Sequence, residues 1–359
     1  MSKQIMTVLG PIAPEELGLT SMHDHIFMDG GWVLRKRREE LGTMPPKNPF
    51  YSADDPVTLE NIGLIRKNMT SNWDALSLED EEMMLGEVQD FMLSGGKGLV
   101  EMSVPGIRHK VPAIKKIAEA TGLNIVICTG LYTADSWSDK YLSMSEKELI
   151  KFMLDEIKYG VEDTGILPGH IKIAIHDMNV YEERVLRAAA KVANQTGFSM
   201  TIHCGSTIGG DGRRVARILK EEEMDLSRAV IAHAAGSLRT VRDLKTQVLH
   251  PELVQLSLDY CKELMDFGIN ISLEFYNGPS SVHWVVLAGI VALLKQGYSH
   301  QIVSGCDVCA KVHTRRGGAG GYNMLTDFAM PTLRQCGVSD YDLRMMAVEN
   351  PARILAYDK

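Results

Sequence analysis

From about residue 95 onward, short apolar runs of β type alternate with longer segments whose apolar positions recur at helical spacing. The runs cover 98–104, 124–128, 170–175, 198–203, 229–233, 269–274 and 301–304, and an earlier one at 19–25 brings the set to eight. Helical stretches between them include 182–194, 212–223 and 282–295. Glycine stands just ahead of several strands, at Gly122, Gly197 and Gly268, where a helix has to end. Repeated strand–helix units predict an α/β fold with a single parallel (β/α)8 TIM barrel; a doubly wound open sheet is the alternative that counting leaves open.

The stretch 30–80 breaks this rhythm. It follows the first strand directly and is rich in Pro, Asn and charge, as in Met44-Pro45-Pro46-Lys47-Asn48-Pro49-Phe50-Tyr51. Long loops in compact folds are usually functional or disordered, and Trp32, Phe50, Tyr51 and Trp73 favour an ordered cap here. The expectation is one domain over 1–359, with 30–80 as a long first loop lying over the active-site face.

Composition changes this picture little. A barrel with one large insertion reaches 359 residues, and 45% hydrophobic with 23% charged residues is ordinary for a globular chain. A net charge of −8 without a basic block points away from nucleic acid and anionic membrane surfaces as partners. No run approaches the roughly 18 apolar residues of a transmembrane helix, and Met1-Ser2-Lys3-Gln4-Ile5 does not read as a secretory leader. Six scattered cysteines, most within or beside apolar runs such as those of Cys128 and Cys204, suit reduced thiols in the cytoplasm.

The chemistry gathers at strand ends. In His23-Asp24-His25 the imidazoles are two apart, so both project from one face of the first strand. His-x-His also arises by chance, and a lone strand-end histidine is often structural. Here, however, His203 and His233 close two further strands and Asp307 closes the eighth. In a barrel those ends converge, and four imidazoles with a carboxylate suit zinc, manganese, iron or cobalt. Lys172 lies inside an otherwise apolar strand, where an ammonium is costly to bury. It either snorkels to the rim or pairs with an acid, or its neutral amine captures CO2 as a carbamate able to bridge two cations.

The ordered set His-x-His, strand-four Lys, His, His, Asp resembles the phosphotriesterase family of the amidohydrolase superfamily. So do Thr7-Val8-Leu9-Gly10-Pro11-Ile12, the run from Glu16 to His25, Thr129-Gly130-Leu131-Tyr132 and Glu349-Asn350-Pro351-Ala352-Arg353. The resemblance covers essentially the whole chain and is strongest to phosphotriesterase-related proteins. It implies a distorted barrel with two divalent metal ions, zinc first and manganese, cobalt or iron as alternatives. The more buried ion would take His23, His25 and Asp307 and the more exposed one His203 and His233, with carboxylated Lys172 and a hydroxide bridging them. One departure is Gly106-Ile107-Arg108-His109-Lys110, where the family often has Gly-Ile-Gly-Arg-Asp.

These expectations give a metal-dependent hydrolase whose nucleophile is the bridging hydroxide. Asp307 would accept its proton, and His233 would relay it. The bond expected is an ester: phosphoester, phosphonate ester, lactone or carboxyl ester. The alternatives are an amide cleaved at the same centre, a non-catalytic binder of small molecules, and an aldolase-type barrel with Lys172 as Schiff base. On the substrate side, Lys311, Arg315, Arg316 and Tyr322 belong to a glycine-rich segment after strand eight, and the arginines either bind an anionic group or pair with surface acids. Tyr132 either touches substrate or packs. Cys306 and Cys309 have redox-motif spacing but read as buried thiols, and the glycines at 317–321 lack the context of a dinucleotide site. A small-molecule substrate is the partner expected, and a homodimer is the assembly to test.

Overall fold

A computed structural model describes residues 3–41, 50–204, 211–241, 243–275 and 283–358. Residues 44–49 of the proline-rich run, and Val282 at the head of one expected helix, lie outside them. The barrel strands, labelled here in chain order, are β1 Thr20–Asp24, β2 Gly98–Glu101, β3 Asn124–Leu131 and β4 His170–Ile175. They continue with β5 Met200–Cys204, β6 Ala229–Ala232, β7 Asn270–Ser272 and β8 Ile302–Val303. All pair in parallel with their sequence neighbours in one 8-stranded sheet.

Two backbone hydrogen bonds join the first and last strands. Met22 N–H donates to the Ser304 carbonyl at 2.9 Å, and Asp307 N–H donates to the His23 carbonyl at 2.9 Å. Gly305 allows that approach, because a Cβ there would lie 2.6 Å from the His23 backbone. The sheet is therefore a nearly closed barrel, as the strand count predicts, and the open-sheet alternative falls. Helices fill the crossovers, among them Val180–Thr196, Gly212–Glu221 and His283–Leu294. The apolar residues of both barrel faces are buried, as parallel sheets covered by helices require.

Several family-like stretches hold the scaffold. The strands Lys3–Thr7 and Gly10–Ile12 form a hairpin that also pairs with Tyr357–Asp358. The Asn350 amide donates to the carbonyls of Ser299 and Ile302, at 2.7 and 2.9 Å, and so anchors β8. Arg108, in the stretch that departs from the family pattern, is buried and donates to Glu156 at 2.8 Å and to the Cys128 carbonyl at 2.8 Å. That arginine ties β3 to the helix Glu146–Tyr159, a structural task.

The insertion is stapled at its base, where Met28–Asp29 pairs antiparallel with Ser77–Leu78. Between these ends lie the helices Trp32–Leu41 and Ile62–Ile65 and the 3-10 turns Arg66–Ser71 and Asp74–Leu76. Tyr51, Ile65 and Ala75 form a small apolar cluster with Ala310 and Val312, so the insertion rests on the loop after β8. Of its aromatics, Tyr51 is buried with its hydroxyl 2.7 Å from Ser71 Oγ, whereas Phe50 is 74% exposed.

Candidate metal centre

The barrel delivers His23 from β1, His25 just beyond it, Lys172 from β4, His203 from β5, His233 just beyond β6 and Asp307 just beyond β8 to one place. His25 Nε2 and His23 Nε2 lie 3.5 and 3.8 Å from Asp307 Oδ1. Lys172 Nζ is 3.0 Å from His23 Nε2, and His203 Nδ1 is 2.8 Å from His233 Nε2. The ring centroids of His23 and His233 are 4.8 Å apart, so the two histidine pairs form one cluster.

Local backbone features aim these groups. The pairing of β1 with β2 shifts register between Ser21 and Asp24. Asp24 points away from the cluster, accepts from Ser21 Oγ and from Val308 N–H, and so staples the segment after β8 onto β1. His233 and Asp307 both have positive φ, at 60° and 48°, which turns each side chain off the end of its strand. Gly130 pairs with Lys172, and a Cβ at Gly130 would fall 1.9 Å from the Lys172 carbonyl, so only glycine lets β3 approach there.

A further shell fixes the ring nitrogens. Ser103 Oγ donates to Glu101 at 2.5 Å, so its oxygen accepts from His25 Nδ1 at 2.9 Å and leaves Nε2 bare. Glu274, at the end of β7, accepts from His23 Nδ1 at 3.2 Å. Its other oxygen accepts from the His233 backbone N–H at 2.9 Å and lies 3.5 Å from His233 Nδ1. Ligating histidines commonly make such outer contacts, which set tautomer and orientation.

The charges follow from burial and neighbours. Burial, helped by Lys172, pushes His23 down to about 3, and burial together with His233 holds His203 well below the usual range. Burial pulls Lys172 down to about 8, against the attraction of Asp307. Burial works to raise both carboxyls. His25 beside it and the charge of His233 nevertheless hold Asp307 well below its usual range, and His233 and His23 do the same for Glu274. His23, His25 and His203 are thus neutral imidazoles beside ionised carboxylates, the donor chemistry a divalent cation requires, while Glu274 and Asp307 raise His233 against burial.

The donor atoms fit metal binding on geometry as well. His23, His25 and Asp307 offer ligand atoms within 4.8 Å of one another, as do His23, His233 and Glu274. In the second group Glu274 faces Nδ1 of its histidines and so serves as their acceptor. His203 Nε2 is buried without a hydrogen-bond partner.

Substrate-side expectations fare unevenly. Tyr132 stands at the mouth, its ring 5.4 Å from that of His203 and 6.2 Å from that of Trp32, and its hydroxyl meets no partner among the described residues. Tyr322 does not face the cleft: it is fully buried and its hydroxyl donates to the His25 carbonyl at 2.7 Å. Lys311 pairs with Asp74. Arg316 lies between Glu87 and Asp90 at 3.0 and 3.1 Å, while Arg315 points outward, 3.9 Å from Asp90. Sequence reasoning missed Glu101, Ser103 and Glu274, and it missed His176 just beyond β4. The His176 ring lies 5.7 Å from that of His203, and its Nε2 is buried without a partner. Cys306 is buried and Cys309 partly so, neither in a disulfide.

With this geometry in view, the likeness to known proteins is informative. The model of the phosphotriesterase family matches residues 3–355. The chain belongs to the phosphotriesterase family. Its curated relatives include an N-acetyltaurine hydrolase from Xenopus tropicalis, 28% identical over 363 residues and 99% of both chains. The human N-acetyltaurine hydrolase is 27% identical over 362 residues, again covering 99% of each. Among solved structures, a resiniferatoxin-binding protein from Rhodobacter sphaeroides matches 98% of this chain and 94% of its own, with TM-score 0.84 and 26% identity. A lactonase from Listeria monocytogenes matches 99% and 100%, with TM-score 0.77 and 21% identity, a likeness of fold. Membership of this family and whole-length relatives named for hydrolysis make the protein a hydrolase. No helix among the described residues is long and apolar enough to cross a membrane.

Proposed function

We propose that the protein is a two-metal hydrolase that cleaves the acyl bond of a small, anionic N-acyl amide. The observation that carries the metal reading is the convergence of His23, His25 and Asp307 within ligand distance of one another, with Lys172 and the His203–His233 pair alongside. His23, His25 and Asp307 would hold one ion and His203 and His233 the other, with Lys172 between them as its carbamate. Zinc is the first candidate for such nitrogen and oxygen donors. When bound, the ions polarise the substrate carbonyl and make water acidic enough to attack near neutral pH. Burial supports the carbamate by lowering the Lys172 ammonium to about 8, because only the free amine reacts with CO2.

The chain's own groups manage the proton. Asp307, kept ionised, would accept the proton of the attacking water, and His233, where it is not held by an ion, lies 4.0 Å from its Oδ2 to pass it outward. Glu274 steadies that step by raising His233 against the effect of burial. These groups serve an ester as well as an amide. The amide is preferred because the whole-length relatives are named for N-acetyltaurine, which is one.

The test pairs metal analysis with a substrate panel. Gently purified protein should carry about two divalent ions per chain, as a two-metal mechanism requires, and chelation should abolish turnover. N-acetylated amino acids and aminosulfonates should be cleaved faster than lactones or phosphotriesters. Full activity after metal removal would defeat the reading, and tight binding of these compounds without turnover would favour a binder. Lys172→Ala should lose most activity and regain part of it with short carboxylic acids. An unmodified Lys172 ammonium in metal-replete crystals would contradict the carbamate.

A further inference from the structure

Of the cations expected to meet an anionic substrate after β8, Lys311 and Arg316 are engaged within the protein, and Arg315 lies 3.9 Å from Asp90. Asp74 takes Lys311, while Glu87 and Asp90 take Arg316. Glu87 is fully buried and also accepts from the backbone N–H groups of Arg315 and Arg316, at 2.8 and 2.9 Å. The loop is held by its charges, and little positive charge remains for a ligand.

Arg66 differs. It opens the 3-10 turn Arg66–Ser71 of the insertion and donates from Nη2 to the Gly317 carbonyl in the glycine-rich loop. A Cβ on neighbouring Gly318 would lie 3.1 Å from that nitrogen, so the guanidinium lies against the loop backbone. Its Nε is buried and has no hydrogen-bond partner, and no ion pair with a carboxylate forms among the described residues. A buried N–H left unpaired is costly, more so on a charged group, and such a group in a folded protein calls for a missing acceptor. An oxyanion supplies acceptor and countercharge together, and a guanidinium offers it two parallel donors.

The position suits a substrate. Ile65, the preceding residue, packs with Ala310 and Val312 on the segment that follows Asp307. His313, on the same segment, lies within electrostatic reach of Arg66 and also of Asp307 and His25. Arg66 thus sits where the insertion after β1 meets the loop after β8, on the face of the barrel that carries the candidate metal centre.

We propose that Arg66 binds the sulfonate, carboxylate or phosphate group of the substrate, held between the insertion and the glycine-rich loop. This rests on the hydrolase reading only for what the anion is attached to. Two uncoupled measurements therefore test it. In the first, N-acetyltaurine and neutral N-ethylacetamide are compared as substrates of wild type, Arg66→Gln and Arg66→Lys. Arg66→Gln should lower kcat/KM for the anionic amide by roughly 30-fold, chiefly through KM, with little change for the neutral amide. Arg66→Lys should recover part of the loss. In the second, ethanesulfonate binding to metal-loaded wild type and Arg66→Gln is followed by calorimetry, with melting temperatures as a check on folding. Loss of binding in the variant supports the inference even if no amide is ever cleaved, in which case the hydrolase reading alone falls. Equal ethanesulfonate affinities, or equal losses on both amides, would overturn it.

Discussion

The two halves of the candidate centre are built differently. On the β1–β8 side, His23 and His25 are buried and each Nδ1 has an assigned acceptor, Glu274 for one and Ser103 backed by Glu101 for the other. Asp307 is tied to β1 through its own N–H. On the β5–β6 side, the His233 side chain is 19% exposed, and His203 has a buried Nε2 without a hydrogen-bond partner among the described residues. Beside it, His176 has a buried Nε2 that is likewise without a partner among the described residues, and the Tyr132 ring packs against His203. One half is preorganised at the expense of access, and the other keeps hydrogen-bonding groups without partners among the described residues. Binding sites need both qualities, and this barrel separates them by strand.

The largest expected effect comes from breaking the rigid half. In the proposed mechanism Asp307→Ala would remove a ligand atom and the proton acceptor together, and activity should fall by on the order of 10³-fold, within the range for general acid–base groups. Metal content should fall with it, whereas His203→Ala should release only the more exposed ion. If elemental analysis shows the same loss for both variants, the halves are not independent and the comparison fails.

A smaller effect is expected where the halves join. Glu274 contacts a histidine of each half, His23 and His233. Glu274→Gln keeps its size but replaces one acceptor oxygen with a donor, so at least one ring loses its orientation. Outer-shell changes of this kind typically cost about 10–100-fold in metal affinity or activity. Ser103→Ala, which touches only His25, should weaken the buried ion alone. Titration of the apoprotein with zinc would separate the two, and identical curves would mean that Glu274 links nothing.

The strand order was legible because a parallel strand buried on both faces leaves a continuous apolar run, and eight such runs recur in this chain. Three of the candidate ligands, His203, His233 and Asp307, were legible because each stands where such a run stops, so chemistry and position coincide there. Glu274 also ends a strand. One acid at a strand end is ordinary, however, and its meaning lies in histidines that reach it from other strands. The eighth-loop cations show the opposite failure. Their charge was visible in Lys311 and Arg316, but their partners Asp74, Glu87 and Asp90 are remote in sequence and were not. Arg66 drew no attention because its place depends on how the insertion folds back onto Gly317.

The smallest effect belongs to the open half and concerns Tyr132. Burial raises its phenol well above the usual range, so the hydroxyl stays protonated and can donate. It has no partner among the described residues, while its ring is held against His203 and Trp32. Tyr132→Phe keeps those ring contacts and removes only the donor. A single neutral hydrogen bond contributes about 0.5–1.5 kcal/mol net, so KM should rise by roughly 2–12-fold with kcat little changed. Metal content and melting temperature should not move, since neither the ligands nor the packing is touched. A lowered melting temperature with unchanged KM would mean that Tyr132 only packs. The open half would then owe its substrate contacts to His176, the other polar side chain beside His203.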